Sequence, residues 1–315
     1  MLLMAKMAML LLGANMDARP ETFVYKKAPG CNIRADLYRP PGADGLLPTV
    51  VYVHGGALIA GSRQEVGLQH LPRYLAAGYA VVAFDYRLAP QAKVPDILED
   101  VDDAFAWIHL RQADLGVDAS RLAVVGHSAG GYLTLAAGAR VLPRPRALVS
   151  FYGYGDLAAE WYAKPDPFYC SQPAVSAEAA AKAAGQKLIS HPRGNRWPFY
   201  LYCRQHGLWP KEVAGLDPFT QRDELLKYCP QYNVPADYPP TLLLHGDTDT
   251  DVPYRQSVDM AAVLAKAGVE HELVTIPNGG HGFDCDKSSP AAHAALDRVI
   301  AFLARHLQQN ESDNP

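Results

Sequence analysis

Leu122-Ala123-Val124-Val125-Gly126-His127-Ser128-Ala129-Gly130-Gly131 decides how the rest of the chain is read. Leu122 to Val125 is a short apolar, β-branched run, the pattern of a buried strand. From Ala129 to Ala139 the residues are mostly small, which suits a helix packed close to a sheet. Between them stands Gly-x-Ser-x-Gly with Ser128 at its centre. A strand, this tight turn and a helix together make a nucleophile elbow, in which a strained backbone lifts the serine hydroxyl clear of the sheet. Gly126 and Gly130 fit that turn, because a Cβ at either place collides with neighbouring backbone.

A serine hydroxyl is a weak nucleophile at neutral pH and needs a base, oriented in turn by a carboxylate. With such an elbow the order along the chain is Ser, acid, His. His281 lies in Asn278-Gly279-Gly280-His281-Gly282-Phe283, after the last predicted strand. It is the expected base. His245 at a strand end, His293 and His306 on the last helix, and His127 inside the elbow fit less well. The acid comes from Asp247, Asp249 and Asp251, which alternate after one strand. Asp-x-Asp-x-Asp also opens a calcium loop, but Val252 stands where that loop needs Gly and Val258 where it needs Glu. Asp251 is accounted for by the helix start at Pro253. Asp249 is therefore the expected triad acid. Acyl transfer develops an oxyanion, and each preorganised N–H donor contributes about 3–4 kcal/mol to the transition state. Gly55 and Gly56 of His54-Gly55-Gly56-Ala57 and the N–H of Ala129 are the expected donors.

The bulk numbers set the frame. The 315 residues are 49% hydrophobic with a net charge of −4, enough for one large α/β domain with an insertion. The mixed charge offers no footprint for nucleic acid and no basic patch for a membrane. Cys31, Cys170, Cys203, Cys229 and Cys285 show no C-x-x-C spacing. That argues against a zinc site or disulfide framework and leaves at most one local bridge among Cys170, Cys203 and Cys229. Five of the six methionines fall between Met1 and Met16. This apolar start is too short to span a bilayer. It reads as a weak signal or as an extended start before Met16, with a cytoplasmic location expected.

Strands are expected over 21–27, 33–39, 49–53, 80–84, 122–125, 147–152, 241–244 and 272–276. Helices are expected over 64–77, 94–113, 129–139, 254–266 and 291–307. This alternation implies a mostly parallel eight-stranded sheet with helices on both faces. Gly153 to Pro240 breaks the pattern, with many prolines and aromatics and one Ala-rich helix over 174–188. Roughly 85 residues without a strand are too long for a loop and read as a helical lid inserted after the sixth strand. About half of its aromatics are expected to line a pocket and the rest to form its own core. The expected organisation is an extension (1–20), a core (21–153 and 241–308), a lid (154–240) and a polar tail (309–315).

His54-Gly55-Gly56, Asp85-Tyr86-Arg87-Leu88-Ala89-Pro90, Gly126-His127-Ser128-Ala129-Gly130-Gly131, His245-Gly246-x-x-Asp249-x-x-Val252-Pro253 and Gly280-His281-Gly282-Phe283 occur in this order. As a set they resemble the α/β-hydrolase superfamily. They are most similar to bacterial carboxylesterases and acetylesterases related to the hormone-sensitive-lipase lineage. The resemblance implies a Ser128–His281–Asp249 triad and no cofactor or metal. It also implies a small ester as partner, and a homodimer is compatible with it. Ala57 departs from the third Gly of lipase-like members. The segment before His54 is short for their N-terminal cap, so the lid has to come from 154–240. Within the superfamily, amide-cleaving enzymes such as arylformamidases and non-catalytic binding proteins are the other functions to weigh.

Overall fold

Alternation along the central strands sends neighbouring side chains to opposite faces of one sheet. Val51, Val53, Val82, Phe84 and Val124 belong to one buried cluster, and Val50, Tyr52, Val81, Ala83, Ala123 and Val125 to another. Both faces are thus covered, as a parallel sheet requires. The computed structural model describes residues 19–67, 70–192 and 194–308. The predicted tail and all but the end of the predicted extension lie outside these residues.

The strands are β1 (Glu21–Ala28), β2 (Cys31–Tyr38), β3 (Leu47–Val53), β4 (Ala80–Phe84), β5 (Val117–His127), β6 (Ala147–Phe151), β7 (Thr241–Gly246) and β8 (His271–Ile276). They form one sheet in the order β1-β2-β4-β3-β5-β6-β7-β8. β2 pairs antiparallel with β1 and with β4, and every other pair is parallel. The helices are α1 (His70–Ala76), α2 (Val94–Leu115) and α3 (Ala129–Arg140), then α4 (Glu160–Ala163), α5 (Pro167–Cys170), α6 (Ala177–Ala184), α7 (Trp197–His206) and α8 (Arg222–Leu226), and finally α9 (Arg255–Lys266) and α10 (Pro290–Leu307). α2 and α3 lie over the first face, α1 and α10 over the second.

The expected elements are present, with three differences. The helix expected over 64–77 is found as a 3₁₀ turn over Arg63–Glu65 and as α1, with Gly67 between them at φ +79°. β5 begins at Val117, five residues before its apolar run. The Ala-rich helix shrinks to α6, held by the Ser176 side chain, which accepts from the Ala179 N–H, and ended by Gly185. Among the described residues, five α-helices, α4 to α8, with a π turn over Pro210–Ala214 and a 3₁₀ turn over Pro230–Tyr232, fall between β6 and β7 and make up a helical insertion. The five cysteines are free thiols. No described helix is long and apolar enough to cross a membrane.

Candidate active site

The loops after β3, β5, β7 and β8 meet at one edge of the sheet, the carboxyl ends of its parallel strands. A cavity of about 830 Å³ opens there, lined by Gly55, Gly56, Ser128 and His281 among others. Ser128 takes φ 56° and ψ −118°, outside the regions open to ordinary L-residues. The turn is fixed from both sides. The Ser128 N–H donates to Phe151 O (2.9 Å), and the Tyr132 N–H donates to Ser128 O (3.0 Å). A Cβ on Gly126 would lie 2.2 Å from Gly130 O, and one on Gly130 would lie 2.1 Å from Val53 O. Only glycine lets strand and helix approach this closely. Ala129 opens α3, so its N–H is one of the donors a helix start leaves without an intrahelical acceptor.

The loop after β3 lies against the elbow. A Cβ on Gly55 would sit 3.5 Å from Ser128 Cβ and 2.9 Å from His127 O. Gly56 has φ +99°, and Ala57 and Leu58 follow in the left-handed region. Tyr86 Oη donates to His54 O (2.9 Å) and to Gly55 O (3.2 Å), and Trp209 Nε1 donates to Ala57 O (3.1 Å). Arg63 closes the loop by pairing with Asp36 (2.9 Å) and Asp85 (2.6 Å). Arg87 binds Asp100 in the second turn of the long helix α2 (2.8 Å). The Asp85-Tyr86-Arg87 motif is therefore a brace for the backbone of the Gly55–Gly56 loop. His54 is fully buried, stacked on Tyr86 with centroids 4.1 Å apart. Burial pushes its pKa down to about 3, so it stays neutral.

Asp249 and His281 meet across two loops. His281 Nδ1 donates to Asp249 Oδ2 at 2.8 Å, which leaves Nε2 free of a proton in the neutral ring. Asp249 Oδ1 accepts from the N–H groups of Asp251 (2.8 Å) and Val252 (3.0 Å). Asp247 and Thr248 lace the loops together through the Asn278 N–H and the carbonyl of Gly279. Burial alone would raise the Asp249 carboxyl. The donors from His245, His281 and the backbone outweigh it and hold the group well below the ordinary carboxylate range. For His281 burial acts downward, but the bond to Asp249 and the charges of Asp251, Asp249 and Asp284 leave its pKa raised.

Asp251 differs from its expected role at a helix start. Its Oδ2 is 3.4 Å from His281 Nε2. Its Oδ1 accepts from Tyr169 Oη (2.8 Å), Arg204 Nη1 (2.8 Å) and Tyr200 Oη. Sequence reasoning missed this because the three partners lie on helices of the insertion, 47 or more residues away. The aromatics there also depart from expectation. Of the insertion's aromatics, Trp197 and Tyr200 line the cavity, whereas Tyr162 stacks on Trp209 at 4.0 Å. Arg204 lies over Tyr169 at 4.5 Å. Most of them form the insertion's own core around a cation.

His127 packs on Phe151 with centroids 4.4 Å apart, as expected. Beside it, His70 Nε2 is 2.7 Å and His127 Nε2 3.3 Å from Asp284 Oδ2, and Tyr152 Oη donates to Asp284 Oδ1 (2.7 Å). One ligand-type atom each of His70, His127 and Asp284 falls within 4.8 Å of the others. Two ligands of one tetrahedral zinc ion lie about 3.4 Å apart, since each bond is about 2.1 Å. The 2.7 Å separation belongs to a hydrogen bond, so the cluster is a buried carboxylate held by two imidazoles and a phenol.

Comparison with known proteins covers both halves of the sheet. A family model described as BD-FAE matches residues 35–142, and that of the prolyl oligopeptidase family matches residues 200–310. An α/β-hydrolase superfamily protein from Enterococcus faecalis superposes with a TM-score of 0.72 at 24% identity, covering 91% of this chain and 99% of that one. The butyrate-bound form of a thermophilic esterase from Thermogutta terrifontis superposes with a TM-score of 0.66 at 22% identity, covering 93% and 96%. The non-reducing polyketide synthase trt4 of Aspergillus terreus is 30% identical over 94% of this chain. The chain spans only 14% of the length of that synthase. Strand order, elbow and superposed structures agree: the chain has the α/β-hydrolase fold.

Proposed function

We propose that this chain is a serine carboxylesterase acting on short-chain acyl or aryl esters through Ser128, His281 and Asp249. The observation that carries this reading is the shared cavity, lined both by the strained Ser128 turn and by a His281 ring bonded to Asp249 at 2.8 Å. In the proposed reaction Ser128 Oγ attacks the ester carbonyl carbon while His281 Nε2 takes the hydroxyl proton. The N–H groups of Gly55, Gly56 and Ala129 face the oxyanion that forms. The intermediate collapses as His281 returns the proton to the leaving alcohol, and an acyl-Ser128 ester remains. Water, deprotonated by the same imidazole, then attacks the acyl carbon, and the acyl–Oγ bond breaks as His281 returns the proton to Ser128 Oγ, releasing the acid. Butyrate bound to the Thermogutta esterase is consistent with a small acyl group.

Ser128→Ala is expected to remove hydrolysis of p-nitrophenyl acetate and butyrate by roughly 10³–10⁶-fold while leaving the far-UV circular dichroism unchanged. A fluorophosphonate probe is expected to label the parent protein at Ser128 and not the variant. Retained turnover in a clean preparation of the variant overturns the reading. The prolyl oligopeptidase match over 200–310 favours one second reading, cleavage of an amide. Amines leave less readily than alcohols, so an anilide rate equal to that of the matching ester would shift the proposal to it.

A further inference from the structure

Among the described residues four arginines are buried, and three of them are paired with carboxylates. Arg63 has Asp36 and Asp85, Arg87 has Asp100, and Arg204 has Asp166 and Asp251. Arg196, just before α7, is 4% exposed and has no carboxylate partner among the described residues. Its Nη2 donates to Ala89 O (2.8 Å), Ala184 O (2.8 Å) and Gln91 Oε1 (3.3 Å). These neutral acceptors fix the guanidinium in place. Nε and Nη1, with three N–H groups between them, are buried and have no hydrogen-bond partner among the described residues. Arg196 lines the cavity that holds Ser128 and His281, and it also lines a neighbouring cavity beside α6.

We propose that Arg196 is a carboxylate-binding subsite of the Ser128 cavity, so that the preferred ester carries a second, negatively charged carboxylate. This deepens the esterase reading and rests on it. A carbonyl or water could satisfy the open N–H groups, but neither offsets the charge. A carboxylate does both, and guanidinium and carboxylate match in shape. The other charges on the cavity wall leave this role open. Asp251 is paired with Arg204 and faces His281, and Asp284 is held by His70, His127 and Tyr152. Glu65 is the remaining wall carboxylate, and its pKa is pushed up by burial. Lys287 adds a second cation to the same wall. Burial, with no anion to oppose it, pushes the Arg196 pKa down to about 10, the direction an unneutralised cation takes.

Paired substrates test the inference. On the acyl side these are p-nitrophenyl hydrogen succinate and glutarate against their neutral methyl esters. On the alcohol side they are 4-acetoxybenzoate against methyl 4-acetoxybenzoate. The acidic member is expected to lead in kcat/KM by about tenfold or more in one pair, the factor a charge-assisted hydrogen bond supplies. Arg196→Met is expected to collapse that ratio, and Arg196→Lys to keep part of it. Equal rates within every pair, or a preference that survives Arg196→Met, overturn the subsite while leaving the esterase reading intact. No turnover of any member overturns the esterase reading instead. Calorimetric binding of glutarate to the parent protein, weakened at least tenfold in Arg196→Gln, then still reads the subsite, and equal binding refutes it. The ratio in the parent protein needs no variant, so a folding failure does not stop the test.

Discussion

Asp251 and Asp249 hold opposite sides of one imidazole, and the two contacts act differently. Asp249 takes the Nδ1 proton and orients the ring, whereas Asp251 stands 3.4 Å from Nε2, the proposed base. A negative charge there favours the protonated ring, so the raised His281 pKa places the acid limb of kcat/KM above the ordinary histidine value. On the proposed mechanism, activity is expected to rise with pH as His281 loses its proton through that raised value. Asp251→Asn is therefore expected to move the acid limb to lower pH, read from a kcat/KM profile. It also weakens stabilisation of the imidazolium formed at the transition state. An unmoved limb removes Asp251 from the machinery. Ser128, Asp249 and His281 can be singled out as candidates in the sequence because each sits in a short motif whose turn chemistry is local. The Asp251 contacts and the open Arg196 donors depend on residues dozens of positions away, and no spacing rule reaches that far.

The insertion between β6 and β7 is joined to the sheet by a charged pivot as well as by apolar packing. Arg204 of α7 is fully buried and binds Asp166 next to α5 and Asp251 on the loop after β7. Arg204→Met leaves both carboxylates without this cation. The expected cost is about 3 kcal/mol, the lower end for breaking a buried pair, since each aspartate keeps some solvent. Denaturant unfolding measures it, and a loss within error would assign the pivot to the aromatics instead. The same variant frees Asp251, so its pH profile is expected to change along with its stability. At this scale the core elements were legible from alternation and glycine stops. The short helices α4, α5 and α8 were not, because segments of four or five residues carry no helical period.

Across the molecule, sheet order explains why four distant loops converge. β3 and β5 are neighbours at the centre, and the chain winds outward from them in both directions, leaving a crevice at the carboxyl ends of the strands. The motif order in the sequence already implied this crevice. The contents of its walls depended on how the insertion folds. Glycine at position 128 tolerates the torsions that serine endures there, at a backbone-entropy cost of up to about 1 kcal/mol against a strain of about 1–3 kcal/mol. Ser128→Gly is thus expected to raise the urea midpoint, while Ser128→Ala, which keeps the Cβ, is not. If both variants unfold at the same urea concentration as the parent, the turn holds no strain. Otherwise durability and reactivity are opposed at a single position: the chain keeps its hydroxyl by remaining less robust than its own inert variant.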